Sequence, residues 1–142
     1  MRLEPFCQMD LAYQDGFALV KPYGGEEGTG YGVGDGSVSG GLVGTVRWAN
    51  HPHRRSDGRM LPDAAGEIRT TDGDLVMFRL TGRTVFREVG GVRKGGQLLS
   101  CLFETSVERL AWLNDALCVV EGIIDDKLRL KLAVFACVHE GL

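Results

Sequence analysis

Apolar residues recur at every second position through the C-terminal part of the chain. They are Leu128, Leu130, Leu132, Val134 and Ala136. Arg129 and Lys131 occupy positions between them. A period of two is that of a β-strand with one buried face, whereas a helix repeats every 3.6 residues. The pattern over 128–138 therefore predicts a strand, and a half-buried strand requires further strands to complete its core.

Similar patterns predict seven more strands along the chain. They cover residues 10–20, 41–48, 63–70, 75–81, 83–89, 98–103 and 116–124. The connections are short: Asp72-Gly73 predicts a type I′ hairpin turn, in which both residues have positive φ. Gly90-Gly91 and Gly95-Gly96 predict the two ends of a flexible return. Strands joined this tightly are antiparallel.

Only residues 107–113 have a helical pattern, with Ser106 as the predicted N-cap. The sequence thus predicts an all-β fold. We expect a closed antiparallel β-barrel of about 8–10 strands with one short helix, because closure removes exposed strand edges. A β-sandwich is the alternative. The length of 142 residues predicts a single domain over 1–142.

Composition and charge exclude several functional classes. With 16 Lys and Arg against 19 Asp and Glu, the net charge is −3, which argues against a nucleic-acid or membrane partner. The chain has no apolar run of the roughly 18–20 residues that span a membrane and no signal-peptide pattern, so we expect a cytoplasmic protein. It also has no nucleotide, flavin or nicotinamide motif, and we expect no cofactor.

The four cysteines are scattered through the sequence, with no C-x-x-C pair. They are Cys7, Cys101, Cys118 and Cys137. Because the last three lie in apolar runs, they are interpreted as small buried hydrophobic residues. The alternatives are a disulfide or a catalytic thiol, but no activating partner is near them in the sequence.

Glycine is concentrated in one ribbon, with ten glycines between residues 24 and 44. From Gly28 to Gly36 every second residue is glycine, so a strand here would have one face without side chains. Such a face permits close approach of a ligand or another backbone. We consider a mobile flap or the bare wall of a cavity, and alternatively a loose surface loop. Phosphate binding is disfavoured, because no Gly-Lys-Ser/Thr or opening helix follows.

The most polar and aromatic stretch runs from Arg47 to Arg59. His51 and His53 lie two residues apart, as in a His-x-His metal site, but the further ligands that a metal needs are missing, and we expect no metal. A general acid or base role for one histidine suits imidazole chemistry better. The alternative is an exposed basic loop. Trp48 and Tyr31 are candidate ligand-packing residues.

A second candidate set lies on the strand pair 63–70 and 75–81. In an extended chain Asp63, Glu67 and Arg69 share one face. Pairing across the Asp72-Gly73 turn would bring Arg79 close to them. Two carboxylates and two arginines inside a barrel would form a proton-transfer or anion-binding site. The alternative is a solvated outer face with surface salt bridges.

The third candidate set surrounds the predicted helix. Trp112 has a large apolar surface and an N–H group that needs a partner. It is interpreted as the anchor of a plug helix at the barrel mouth. Asn114 is a candidate helix cap or ligand contact, and Glu104 ends an apolar strand.

At these residues the sequence resembles the small β-barrel proteins known as domain of unknown function 3237. The resemblance rests on Gly36–Gly44, on Asp63 with Ile68-Arg69-Thr70-Thr71-Asp72-Gly73, on Phe103-Glu104-Thr105 and on Ala111-Trp112-Leu113-Asn114. It covers roughly residues 10–138. It implies a closed barrel with a central cavity that self-associates, and no general activity. Matching family-wide positions are Asp63, Arg69, Glu104, Trp112 and Asn114.

The sequence departs from the family pattern at two places. One is the Asn50–His53 stretch, and the other is Gly66, where an aromatic residue is usual and where its loss is expected to enlarge the cavity.

We therefore expect a cofactor-independent enzyme of isomerase, cyclase or lyase type, acting on a small organic metabolite in the barrel. Asp63 or Glu67 would be the base, Arg69 or Arg79 would stabilise an oxyanion, and His51 or His53 would supply a second proton. Tyr31, Trp48, Glu104, Trp112 and Asn114 are the expected ligand-binding residues. The alternatives are a non-catalytic small-ligand carrier and a structural protein whose barrel is filled by its own side chains.

Overall fold

The computed structural model describes residues 1–142 as ten β-strands and two short 3₁₀ helices. The strands are β1 (Arg2–Val20), β2 (Gly28–Gly40), β3 (Gly44–Asn50), β4 (His53–Arg54), β5 (Met60–Leu61), β6 (Asp63–Thr70), β7 (Leu75–Val89), β8 (Val92–Glu104), β9 (Cys118–Ile124) and β10 (Arg129–Val138). The helices cover Pro22–Gly24 and Glu108–Asn114. The predicted strands 75–81 and 83–89 are one continuous strand, and the β4–β5 hairpin was not predicted.

The strands pair in a ring. Following hydrogen-bonded neighbours, the order is β1-β10-β9-β8-β7-β6-β3-β2 and then β1 again, with all pairs antiparallel. The small β4–β5 hairpin bridges β2 and β7 at one end of this ring. The prediction of an all-β antiparallel barrel is confirmed.

Alternation along each strand separates the interior of the ring from its surface. On β10 the series Leu130, Leu132, Val134 and Ala136 is buried, as its period of two predicted, while Lys131 is exposed. The core of 24 buried residues draws its side chains from the main strands and from the helix Glu108–Asn114. The end of the ring near the β4–β5 hairpin is called the mouth below.

The two-residue glycine turn lies at a different place from the one the sequence predicted. Gly90 and Gly91 both have positive φ, 60° and 77°, and form the two-residue link between paired Val89 and Val92. This is the turn chemistry expected at Asp72-Gly73, where only Gly73 has positive φ. The expectation of a type I′ turn there was wrong, because Thr70 receives the Gly73 N–H in a longer turn.

The glycine ribbon is strand β2, with its bare face turned inward. Gly28, Gly30, Gly32 and Gly34 are all buried. Tyr13 and Phe17 of β1 cover this face: a Cβ on Gly32 would lie 2.5 Å from a Tyr13 ring carbon, and one on Gly30 would lie 2.5 Å from Phe17. The missing side chains thus make room for aromatic rings, and the surface-loop alternative was wrong.

The predicted helix is a 3₁₀ helix over Glu108–Asn114, preceded by Val107 at the N-cap with no side-chain cap. The prediction of Ser106 as cap was wrong. Leu110 and Leu113 close the end of the ring opposite the mouth, while Trp112 remains 45% exposed and packs edge-on against Phe6. The plug is therefore made by the leucines.

Asn114 fastens this helix to the end of β8. Its side-chain oxygen accepts the Thr105 N–H at 2.8 Å, and its amide donates to the Thr105 carbonyl at 3.0 Å. The pair imitates two rungs of a β-ladder, so the position acts in folding. No helix of the structure is both long and apolar enough to span a membrane.

Candidate functional site

Polar side chains gather inside the mouth of the barrel. Asn50, Thr84 and Gln97 are the three buried polar residues of the protein. They come from β3, β7 and β8, and Tyr13 of β1 adds its hydroxyl. Each occupies an inward-facing position of its strand. Elsewhere in the ring, inward-facing positions are mostly occupied by apolar residues. Burial of polar groups is costly unless they are hydrogen-bonded, which makes this cluster the first candidate for a site.

Two short hydrogen-bond chains hold the cluster. The Asn50 amide donates to the Tyr13 hydroxyl at 3.0 Å, and its oxygen accepts the Asp63 N–H at 3.0 Å. Gln97 donates to the Thr84 hydroxyl at 3.1 Å from the paired position on the next strand. Every member except Gln97 thus has all of its side-chain polar atoms partnered within the protein.

Two adjoining cavities lie within this cluster. The outer cavity, about 90 Å³, is partly open and lined mainly by aromatic and apolar groups. Its walls include Phe17, Pro52, Met60, Pro62, Phe86, Ile124 and Leu128. The inner cavity, about 20 Å³, lies deeper in the ring beside Trp48 and Leu99. Tyr13, Asn50, Pro62 and Gln97 line both cavities, so the two are neighbours.

Two buried polar atoms at these cavities have no hydrogen-bond partner: the Gln97 side-chain oxygen and the indole nitrogen of Trp48. Both residues are at least nine-tenths buried and line the inner cavity. An unpaired buried donor or acceptor costs roughly 1–3 kcal/mol. The arrangement offers one donor and one acceptor to a guest oxygen.

Tyr13 is the one ionisable side chain that lines either cavity. Burial raises the pKa of its hydroxyl above the ordinary value, an effect that the Asn50 hydrogen bond partly offsets. The phenol is therefore neutral at physiological pH. No carboxylate, imidazole, ammonium or guanidinium faces the interior cavities, so they are polar without being charged.

The predicted acid–base set lies on the outside of the barrel. Asp63, Arg69 and Arg79 are exposed, and Glu67 is only partly covered, because β6 turns Ala64 and Ile68 into the core. The expectation that these charges face the interior was wrong by one position of register, which reverses the face of a strand. Their predicted proximity is correct: Arg79 Nη2 lies 3.3 Å from Asp63 Oδ1.

Glu67 lies at the centre of an outer ion-pair cluster. Arg47 Nε donates to its carboxylate at 2.9 Å, and Arg69 Nε lies 3.4 Å away. The Arg47 hydrogen bond is the main reason that the pKa of Glu67 is lowered, with the charge of Arg69 adding to it. A carboxylate held ionised in this way is a weak base.

This cluster borders an open groove of about 880 Å³ across β2, β3, β6, β7 and β8. Glu104 lies exposed on the same groove, opposite Met77. Arg47 and Arg69 form ion pairs with Glu67 on this solvated sheet face, as the outer-face alternative for the 63–69 strand describes.

The histidines also lie on the outer surface. His51 and His53 are exposed, and the His51 ring lies 4.8 Å from the ring of Tyr31, which is itself exposed. No group of three or more His, Cys, Asp or Glu side chains is arranged to hold a metal ion. Of the predicted site residues, only Trp48 lies at the interior cavities.

Gly66 makes room for neighbouring rings and leaves no enlarged cavity. A Cβ at this position would lie 2.7 Å from Trp48 Cβ and 2.8 Å from Phe78 Cζ. Trp48 therefore occupies space between two bare positions of adjacent strands, Gly34 and Gly66. The expected enlargement of the cavity at Gly66 was wrong, because side chains of the barrel itself fill that space.

Four interior polar residues were missed by sequence reasoning: Tyr13, Asn50, Thr84 and Gln97. Strand parity carries a signal for two of them: Val46, Trp48, Asn50 and Gln97, Leu99, Cys101 alternate as buried series. The predicted strands stopped at residue 48 and began at 98, which left both polar residues outside. The sequence analysis divided β7 into two strands, 75–81 and 83–89, and Thr84 lies in the second of these.

Comparisons with solved structures show the fold. A β-barrel-like protein from Acinetobacter baumannii has a TM-score of 0.83 at 17% identity, over 95% of this chain and 94% of that chain. A protein of unknown function from Clostridium acetobutylicum has a TM-score of 0.84 at 17% identity, over 97% and 100%. An enzyme from Penicillium herquei has a TM-score of 0.70 at 17% identity, over 94% and 93%. No family model and no curated protein matches the sequence.

Proposed function

We propose that the protein binds a small neutral organic molecule inside the mouth of its barrel. The observation that carries the proposal is that Gln97 has an unpaired side-chain oxygen, Trp48 has an unpaired indole N–H, and both residues line the same inner cavity. A guest hydroxyl could donate to the first and accept from the second, which removes both costs at once. Eight-stranded barrels of this kind can hold one small ligand in the interior.

The chemistry of the lining supports a neutral guest. Outer-cavity residues such as Met60, Phe86 and Ile124 would contact an apolar body, while the deeper groups would contact a polar head. A charged guest would lose its hydration without gaining an opposite charge, and such burial is strongly unfavourable. The proposed ligand class is therefore a small alcohol, phenol or ketone without ionised groups.

A matched ligand series tests this proposal. Phenol and cyclohexanol are compared with benzoate and benzylamine by calorimetry and by the shift in melting temperature. The neutral pair is expected to bind and to raise the melting temperature. The Gln97→Met substitution preserves volume but removes the acceptor, and it is expected to weaken phenol binding about tenfold.

Gln14→Met is the control, because Gln14 is exposed and its amide bonds Asp35 on the outer surface. It is expected to leave phenol binding unchanged. Tighter binding of benzoate than of phenol, or equal phenol affinity in the Gln97→Met and wild-type proteins, contradicts the proposal.

A second candidate function is cofactor-independent catalysis of isomerase, cyclase or lyase type. It is favoured by the structural similarity to an enzyme from Penicillium herquei and by the single interior acid, Tyr13. The phenol could donate or accept a proton at a bound carbonyl compound. The outer residues of the predicted acid–base set would not take part, since they do not face the cavity.

Solvent hydrogen exchange tests the catalytic candidate. A bound ketone is incubated in deuterium oxide, and incorporation at its α-carbon is followed by NMR. Catalysis predicts incorporation above the buffer rate, lost in Tyr13→Phe while ketone binding is retained. Ketone binding without deuterium incorporation would be consistent with the carrier function and would contradict the catalytic function.

Membership of domain of unknown function 3237 and self-association are also part of the proposal. The motifs at Gly36–Gly44 and at Ala111–Asn114 support the family relation. Light scattering on the purified protein tests self-association, for which a mass of at least twice the 15.4 kDa of one chain is expected.

A further inference from the structure

The inward face of β2 is a flat wall of backbone. From Gly30 to Gly34 every inward position is glycine, and added Cβ atoms would collide with neighbouring groups at each one. A group that lies on such a wall contacts backbone directly. Only a thin group, such as the face or edge of a planar ring, fits so close to a strand.

Three aromatic rings of the protein already use this wall. Phe17 Cζ lies 2.5 Å from the Cβ site of Gly30, Tyr13 Cε1 lies 2.5 Å from that of Gly32, and Trp48 Cζ2 lies 3.0 Å from that of Gly34. The rings also contact one another, with centroids 5.7 Å apart for Tyr13 and Phe17 and 4.5 Å apart for Tyr13 and Trp48. They form a continuous row from the mouth into the barrel.

Phe17 differs from the other two rings in its attachment. Trp48 is buried in the core, and Tyr13 is hydrogen-bonded to Asn50. Phe17 is 36% exposed and has no polar group to hold it. It follows Asp15 and Gly16, whose φ angles of 57° and 76° mark an irregularity where the β1–β2 register shifts. It is the ring that can leave the wall at the smallest cost.

The size of the cavities indicates that something must move for a ring to enter. The outer cavity measures about 90 Å³, whereas a cavity of roughly 150 Å³ is known to take up benzene. Phe17 lines this outer cavity. Its withdrawal would join the space of one phenyl ring to the existing cavity, which Gln97 also lines.

We propose that the ligand carries a planar ring, which replaces the Phe17 ring on the Gly30–Gly32 wall while its hydroxyl head reaches Gln97, which lines the same outer cavity as Phe17. This inference rests on the proposed binding function and specifies the ligand class. Phe17 is then the specificity-determining residue of the site. A puckered ring with the same number of carbon atoms is too thick for the wall and binds less well.

Three neutral alcohols of different shape test the inference: phenol, cyclohexanol and 2-naphthol. In Phe17→Ala the ligand no longer has to displace a ring, so phenol and 2-naphthol are expected to bind about tenfold more tightly than to the wild-type protein. The gain in affinity for cyclohexanol is expected to be much smaller. Phe17→Leu, which retains apolar bulk, covers the case in which the alanine variant fails to fold. Phe17→Leu is also expected to raise the affinity for phenol and 2-naphthol more than the affinity for cyclohexanol.

Phe6→Ala is the matched control, because Phe6 packs on Phe103 and Trp112 at the opposite end of the barrel. It is expected to leave the three affinities in their wild-type order. A direct readout is the transfer of magnetisation between ring protons of bound phenol and the α-protons of Gly30 and Gly32, which only wall contact produces.

The outcomes separate the two proposals. If neither the wild-type protein nor the Phe17 variants bind any of the alcohols, the binding function itself fails. If phenol binding depends on Gln97 but all three alcohols respond equally to Phe17→Ala, the binding function stands and the planar-ring inference is overturned. Absence of contact between bound phenol and the two glycines also overturns it.

Discussion

At the scale of single residues, the interior of this barrel depends on a few polar atoms. Asn50 is the best-connected of them, since it joins the Asp63 backbone to the Tyr13 hydroxyl. Asn50 orients the Tyr13 hydroxyl and so affects the cavity through Tyr13. Gln97 and Trp48 retain unpaired atoms and line the same inner cavity, which is a cost in stability that the proposed binding function would explain.

We expect Asn50→Ala to lower the free energy of unfolding by about 1–3 kcal/mol, because it leaves a buried N–H and a buried hydroxyl without partners. Urea denaturation measures the change. Gln14→Ala, at an exposed hydrogen bond to Asp35, is the control and should stay within about 0.5 kcal/mol of wild type. Equal losses for the two variants would show that the Asn50 contacts contribute nothing special.

At the scale of elements, β2 is a strand that depends on missing side chains. Its glycines have low intrinsic strand preference, yet they are required, because rings and backbone of β1 occupy the space where side chains would lie. Asn114 has a comparable structural role, since it ties the helix Glu108–Asn114 to Thr105. The sequence analysis considered the glycine face and Asn114 as candidates for ligand binding. In the structure, ring packing accounts for the first and backbone hydrogen bonds for the second.

We expect Gly36→Ala to destabilise the protein by about 1–3 kcal/mol or more, because the new methyl group would overlap the Asp10 carbonyl oxygen, which belongs to the backbone and cannot turn away. Gly96→Ala is the matched control in strand β8, where the nearest atom to the new methyl group would be 4.0 Å away. It should be neutral or slightly stabilising. Denaturation midpoints compare the two, and a tolerated Gly36→Ala would contradict the packing described for β2.

At the scale of the whole molecule, the ring brings three buried thiols together from distant parts of the sequence. Cys7, Cys101 and Cys118 lie on β1, β8 and β9, and all are free. Burial raises the pKa of Cys7 to about 12 and that of Cys118 to about 11, and it raises the pKa of Cys101 as well. This agrees with their interpretation as buried hydrophobic residues, since a protonated thiol is a poor nucleophile.

We expect the stability of the protein to fall as the pH rises above about 9. The thiols ionise near 9 in the unfolded chain but at a higher pH in the folded protein, so their stabilising contribution is complete below that pH and is lost as the pH rises through the folded values. Urea denaturation from pH 7 to 11 measures the slope. Cys118→Ala should make the slope shallower above pH 9, while the two curves run parallel below pH 8. Parallel curves over the whole range would refute the assignment.

The sequence by itself predicted most of the long strands and their antiparallel pairing, because a period of two and short turns are local properties. It left the β2 segment open and missed the β4–β5 hairpin. It also predicted that Asp63 and Arg79 meet, since they lie across one hairpin. Only the tertiary structure decided which face of β6 is inside, because Ile68 is placed between Val46 and Val76 of the neighbouring strands. The interior polar site likewise depended on closure of the ring. Tyr13, Asn50, Thr84 and Gln97 come from four strands, and no local pattern records that they share a cavity.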